Sequence, residues 1–243
     1  MTDPIMQDMT LMLDQRAQAA DGGLVLLSRT GSRAYGTDNE NSDHDFRGVY
    51  VADLRRLFSL SGVNDSIDID DPHDAVIYEL GHFARLAYKA NPTALELLWS
   101  DDYESAGLGD ELRSQRKLFL SKRVLKTYGG YALSQIEKAK RGTGGSRGAD
   151  HHKRMKFKLH TLRLLQEGIH ILRHNDGPMV RLPNTDALFD MAAQDIEVVE
   201  AQAQNMLATM DYEAEHTLLP DHPDVDAINH LIYNLRINHW RGC

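Results

Sequence analysis

The chain has 243 residues, a net charge of −9 and one cysteine, Cys243. That length supports one large domain or two small ones with a real core, and a single cysteine excludes a disulfide within the chain, which fits a reducing cytoplasm. No apolar run approaches the roughly 18 residues a membrane span needs, and the start MTDPIMQDM lacks the basic and then apolar pattern of a signal peptide, so a cytoplasmic protein without a membrane partner is expected.

Asp3-Pro4 is a helix start, an N-cap followed by proline at the first helical position. Ile5, Met9, Met12 and Leu13 then repeat at helical spacing and predict a helix to about residue 20. A buried strand is predicted over 24–28, a turn at Thr30-Gly31-Ser32, and a short helix through Ala34 and Tyr35 that Gly36 stops. Residues 46–51 are rich in β-formers and predict a second strand, with Asp43 and Asp45 at its entrance. Residues 54–63 read as irregular and 64–74 as acidic and turn-prone, with an extra strand over SIDID (66–70) as the alternative; 75–80 read as a third strand. Phe83, Leu86 and Ala87 return to helical spacing, and Asn91-Pro92 restarts a helix through Trp99. Beyond residue 110 the pattern predicts helices over 111–120, 122–140, 152–174, 186–210 and 224–240, with glycine-rich 141–149 as a flexible linker. The fold class is α+β: a small mixed sheet with flanking helices over 1–105, then a helical region over 106–243 that is expected to bind substrate.

Charge is unevenly spread. Residues 113–173 hold 16 Lys/Arg against three acids, leaving 11 Lys/Arg and 33 acids for the rest of the chain. A basic middle in an acidic protein suits a polyphosphate or nucleic-acid surface; a solvated helix face is the alternative.

The stretch 31–51, GSRAYGTDNENSDHDFRGVYV, concentrates the chemistry. On a strand, residues two apart share a face, so Asp43 and Asp45 project together and His44 points away. Two such carboxylates repel each other unless a cation lies between them, and hard oxygen donors suit Mg²⁺ bound through carboxylates and substrate phosphates. Two ions are expected, with Mn²⁺ as an alternative to Mg²⁺. Gly31 permits close approach of backbone to phosphate, and Ser32 adds a hydroxyl. Arg33 flanks this turn. Arg47, two residues beyond Asp45, shares its face and is placed to hold a phosphate or to neutralise the acids. As loop residues after Asn41-Ser42, the two aspartates would be unremarkable turn formers. Lys156, His160 and Arg163 fall at i, i+4 and i+7, on one helical face that would grip a triphosphate or RNA phosphate, or stand solvated. His151-His152 lacks the further ligands of a zinc site, and RGTGGSRGA has no Gly-Lys-Ser/Thr and so is no P-loop.

Gly-Ser, a gap and Asp-x-Asp together resemble the nucleotidyltransferase superfamily of DNA polymerase β. GSRAYGT…NSDHDFRGVYV is similar to a bacterial and phage branch with a GSxAYG…SDxDxRGV pattern, some members of which are associated with RNA repair. DAVIYELGHFARLAYKANPTALELLW continues the likeness, and KFKLHTLRLLQEGIHIL carries it more weakly through a His-x-x-Arg pair. The resemblance implies a polymerase β-like core, an NTP substrate and a third carboxylate on a neighbouring strand. Asp74 is favoured for that acid, with Glu79, Asp68 and Asp70 as alternatives; Glu79 is an odd number of residues from Asp74 and so faces the other side. The implied set is Asp43, Asp45 and Asp74 as catalytic and metal-binding acids, with Gly31, Ser32, Arg33, Arg47, Lys156, His160 and Arg163 on the nucleotide. The expected reaction is transfer of NMP from NTP to an acceptor hydroxyl, with RNA favoured through 113–173. A protein acceptor of AMP and a non-catalytic nucleotide-binding module are the alternatives.

Overall fold

The computed structural model describes residues 3–105, 107–141 and 147–242. Asp3 caps the first helix, α1 (Pro4–Ala19), accepting from the Ile5 N–H at 3.1 Å. The strands are β1 (Gly22–Thr30), β2 (Asp45–Ala52), β3 (Ser66–Ile69), β4 (Asp74–Glu79) and β5 (Tyr103–Ser105). They form one sheet in the order β3-β4-β2-β1-β5, with β2 parallel to β4 and every other neighbouring pair antiparallel. The chain is therefore α+β with a mixed sheet.

Alternation along the strands divides the sheet's chemistry. Leu27, Phe46, Tyr50, Ala75 and Ile77 are buried against Met6, Met9 and Leu13 of α1. Val49 and Val51 alternate with those residues on β2 and are also fully buried. The helices α4 (Leu80–Tyr88) and α11 (Val225–Gly242) pack on each other and on β2. Both sides of β2 are thus covered over its second half, whereas Asp45 and Arg47 at its start remain half-buried. The short helix α2 (Gly31–Tyr35) follows β1 directly and ends at Gly36, whose φ of 76° gives the left-handed cap that glycine adopts without strain.

The acidic stretch 64–74 contains β3, the extra strand that SIDID offered as the alternative, which pairs with the edge of β4. Several other elements differ from expectation. The segment 54–63 begins with a helical turn, α3 (Leu54–Leu57), capped by Asp53. After α5 (Pro92–Trp99) come β5, the helix α6 (Leu108–Ser114) and a 3₁₀ turn, Arg116–Phe119, in place of one helix over 111–120. No helix among the described residues is long and apolar enough to cross a membrane.

Two compact units divide the chain. The first takes the described residues of Met1–Tyr88, Thr93–Phe119 and Pro223–Cys243; the second takes Lys89–Pro92 and Leu120–His222. The division expected at 105/106 falls inside the first unit, because α6 packs on β1 and β5 and α11 returns to α4, α6 and β2. The second unit consists of α7 (Arg123–Arg141), α8 (Arg147–His174), α9 (Thr185–Ala193) and α10 (Ile196–His216). Its core joins Ile136, Leu162, Leu182, Leu188, Ala192 and Val199. Helix α8 starts at Arg147, earlier than expected, and of the expected linker 141–149 residues 142–146 lie outside the described residues. The single helix expected over 186–210 is two. Gln194 and Asp195 take extended backbone, with ψ of 166° and 151°, and the Asp195 carbonyl begins α10 by accepting from Val198 and Val199.

Arg163 and Glu167 form an ion pair one helical turn apart inside the second unit, with side chains 4% and 0% exposed. Removing one member of a buried pair costs about 3 kcal/mol or more, because the other charge keeps its desolvation cost. Arg163→Ala is expected to lower the urea midpoint sharply, and exposed Lys156→Ala to leave it within error. A second test follows from His239 of α11, whose ring lies against Gly23. Burial holds its imidazole below the ordinary 6.5, with Asp53 opposing. The folded ring binds a proton less readily than the unfolded one, so its contribution to stability is complete above pH 6.5 and is lost as pH falls through the lowered folded value. His239→Gln should therefore lose less melting temperature than wild type between about pH 7.5 and about pH 5.5; equal losses would refute the assignment.

Candidate active site

Strand register gathers the polar signals of the sequence at one end of the sheet. Thr30, the last residue of β1, pairs with Asp45, the first of β2, and Asp45 pairs with Asp74, the first of β4. Partners on adjacent strands share a face, so Asp45 and Asp74 stand side by side on the open end of the sheet. Arg47 lies two residues along on that face, opposite Val76, which in turn pairs with Asp68.

Gly31 sits against Asp45. Its φ is 71°, in the left-handed region, and a Cβ built there would lie 2.0 Å from Asp45 Oδ2. Only glycine leaves room for this carboxylate beside the turn into α2. Ser32 follows in the first turn of α2, half-buried, and its carbonyl accepts from Thr37 N–H at 3.0 Å. Tyr35 donates to Glu96 at 2.7 Å and fixes the far end of α2.

Asp43 is placed differently from Asp45. Strand β2 begins at Asp45, so Asp43 precedes the ladder and is exposed. Its neighbours hold it. Arg33 donates from Nε and Nη2 to the Ser42 carbonyl at 3.0 and 2.7 Å, and Arg29 Nη1 meets His44 Nδ1. Burial pushes the His44 imidazole below its ordinary range, and Arg33, Arg29 and His73 add to the effect while Asp3 opposes it.

The third acid can be sorted by face. Asp74 donates nothing and accepts from Arg47 Nη2 at 2.9 Å. Glu79 is 3% exposed and on the opposite alternation; it pairs with Arg236 at 2.7 Å and accepts from Gly81 N–H at 2.6 Å. Asp68 accepts from Ser66 Oγ at 2.8 Å and Asp70 lies beyond the end of β3, exposed. Tyr78 records the resulting field: burial raises its phenol above the ordinary 10.0, Arg47 opposes, and Asp68 and Asp74 reinforce.

Among the described residues no three His, Cys, Asp or Glu side chains are grouped closely enough to hold a metal ion. The donors nonetheless fit a hard divalent cation. Asp45 and Asp74 adjoin on one face, Asp43 is two residues from Asp45, and Mg²⁺ takes only one or two carboxylates and completes its octahedron with phosphate and water.

The remaining expected site residues are arranged otherwise. Arg47 is committed to Asp74 and to the Phe46 carbonyl at 2.7 Å, and Arg33 to the Ser42 carbonyl. Lys156, His160 and Arg163 belong to the second unit. Lys156 is exposed, but Arg163 turns inward to Glu167 and its Nη2 lies 3.1 Å from His160 Nδ1, so the three do not form an open grip. Sequence reasoning passed over Arg29. A lone arginine in an apolar strand, LVLLSRT, is the signal that marks it.

The chain is similar to known proteins in three respects. Over 97 residues the chain is 37% identical to the uncharacterized protein YcgL of Bacillus subtilis (strain 168), a match spanning 38% of this chain and 37% of that protein. The crystal structure of a nucleotidyltransferase-like protein from Exiguobacterium sibiricum 255-15 is similar at 11% identity with a TM-score of 0.32, covering 87% of this chain and 75% of that one. The model of the RNA repair pathway DNA polymerase beta family, RlaP, matches residues 5–234. With residues 5–234 matched, nearly its whole length, the chain belongs to the RNA repair pathway DNA polymerase beta family.

Proposed function

We propose that the chain is a divalent-metal-dependent nucleotidyltransferase that moves NMP from an NTP, ATP being the first donor to test, to a hydroxyl of RNA in the cytoplasm. The observation that carries this reading is the pairing of Asp45 with Asp74 across β2 and β4, next to the Gly31 turn. Asp43 and Asp45 would hold the cation, and the Gly31-Ser32 turn the triphosphate. Held there, two Mg²⁺ or Mn²⁺ ions would neutralise phosphate charge and would favour ionisation of the acceptor hydroxyl. Asp74 would take the acceptor's proton as its oxygen bonds to the α-phosphorus and the bond to pyrophosphate breaks. Arg47 would keep the Asp74 carboxylate oriented for that step.

The choice of RNA rests on the family's description and on charge. Lys138, Arg141, Lys153 and Lys156 are exposed on α7 and α8, whereas Lys140 and Arg154 of the same helices are paired with Glu200 and Asp150. Exposed cations of this kind bind a phosphate backbone with strong salt dependence.

Incubation with α-labelled ATP, Mg²⁺ and cellular RNA should label RNA and release pyrophosphate. Label on protein would replace the RNA acceptor with a protein one, and tight ATP binding with no transfer to either pool would make the chain a regulatory module. Asp45→Asn should reduce transfer by more than the about 10- to 100-fold typical of groups that only support a metal ligand, with the melting temperature unchanged. Gly31→Ala should lose transfer comparably, because the added methyl displaces the Asp45 carboxylate; full activity in Gly31→Ala would place the cation elsewhere.

A further inference from the structure

Behind the acid face lies a second polar cluster, built on Arg29. This residue pairs with Phe46 in the β1–β2 register and precedes Thr30, so its side chain leaves the sheet on the side opposite Asp45. Its guanidinium carbon stands 5.2 Å from the centre of the Phe46 ring, and the residue is only 4% exposed. Each nitrogen has a partner: Nε donates to Asp102 Oδ2 at 2.6 Å, Nη2 donates to Asp3 Oδ2, and Nη1 meets His44 Nδ1. The first two partners belong to firm structure. Asp3 is also the N-cap of α1, and the Asp102 carbonyl accepts the Arg29 N–H at 2.9 Å.

The third partner leads to the site. His44 lies between Asp43 and Asp45, ahead of the ladder. Its ring packs on His73 at 5.0 Å between centroids, and His73, which precedes Asp74, also lies 6.1 Å from the Phe46 ring. The sequence neighbours of all three acids are therefore gathered onto one buried cation and the aromatic ring beneath it. A guanidinium has donors only, so His44 must present a lone pair on Nδ1. Together with the Arg33 bonds to Ser42, this contact fixes the backbone on both sides of Asp43.

We propose that Arg29, acting through His44 Nδ1, is a positioning residue that sets Asp43 and Asp45 for cation binding. The inference rests on the reading that these two acids hold the divalent cation. The anchors of Arg29 on Asp3 and Asp102 do not need His44, so the arm to the site can be tested without dismantling the hub. An asparagine amide oxygen stands where Nδ1 stands in histidine, whereas a glutamine amide oxygen stands near Nε2. Mn²⁺ binding to the full chain, measured by calorimetry or by the loss of free-ion paramagnetic signal, should be close to wild type in His44→Asn. In His44→Gln it should weaken by about 10- to 100-fold, the usual cost of removing a group that orients a metal ligand, with both variants melting at the same temperature. Equal affinities in the two variants, whether both retained or both lost, would overturn the role of Arg29 while Asp45→Asn still abolished binding. Mn²⁺ uptake that Asp45→Asn leaves intact, or no uptake by the wild-type chain, would overturn the underlying assignment and this inference with it.

Discussion

The arrangement of the site depends on the pairing of Thr30 with Asp45 and of Asp45 with Asp74. Because β2 is antiparallel to β1 and parallel to β4, the end of one strand and the beginnings of two others meet at the same edge of the sheet. The register that does this is imposed by the core. Phe46, Ala75 and Ile77 are fully buried on the α1 side, and each neighbours a residue of the polar face in sequence. Slipping either strand by one residue would bring a carboxylate into that core and an apolar side chain out of it. Burying Phe46 and Ala75 is thus the same event as aligning Asp45 with Asp74.

Charge compensation follows from that alignment. Two carboxylates abreast on a half-open sheet require cations, and arginine supplies them with fixed geometry. Arg47 takes Asp74, Arg33 takes the Ser42 carbonyl, and Arg29 works from the opposite side of the sheet. Arginines that look in sequence like phosphate ligands are in the fold largely occupied with holding acids and the loop that carries them. Arg29 is the extreme case. A buried cation is tolerated only with paired and hydrogen-bonded partners, and Asp3, Asp102 and His44 provide them.

Much of this was legible in the sequence where a local rule governs. Asp3-Pro4, Gly36 and Asn91-Pro92 mark helix boundaries because capping and the φ of proline and glycine are local properties, and α1 and α5 begin and α2 ends there. The Gly-Ser turn and the Asp-x-Asp spacing located the acid end, and alternation separated Glu79 from Asp74. The misses share a physical cause. β5 is three residues long and exists because an edge of the sheet was available to pair with it, which no property of YES announces, whereas SIDI, offered by the sequence as an extra strand, forms β3. The break at Gln194-Asp195 has neither proline nor glycine and is capped through a backbone carbonyl. Spacing correctly puts Lys156, His160 and Arg163 on one helical face but cannot say that Arg163 turns to Glu167 within the second unit. Nor can sequence order reveal that α11 rejoins the first unit.

The two aspartates of the Asp-x-Asp pair emerge as unlike in their support. Asp45 is locked in the ladder between Thr30 and Asp74 and lies over Gly31, whereas Asp43 hangs between the Ser42 carbonyl, which accepts from Arg33, and the His44 side chain, which meets Arg29. This inequality has an electrostatic rationale. Two unit charges about 4 Å apart at an effective dielectric near 20 repel by about 4 kcal/mol. A fold that drove Asp43, Asp45 and Asp74 together without a cation would carry that cost in every molecule. Leaving Asp43 exposed and Asp74 on Arg47 avoids it, and explains why no three donors stand grouped among the described residues. Under the proposed reading, the cation and the triphosphate that it accompanies would then supply the attraction that completes the site. The contacts on either side of Asp43 would limit how far that acid must move to meet them.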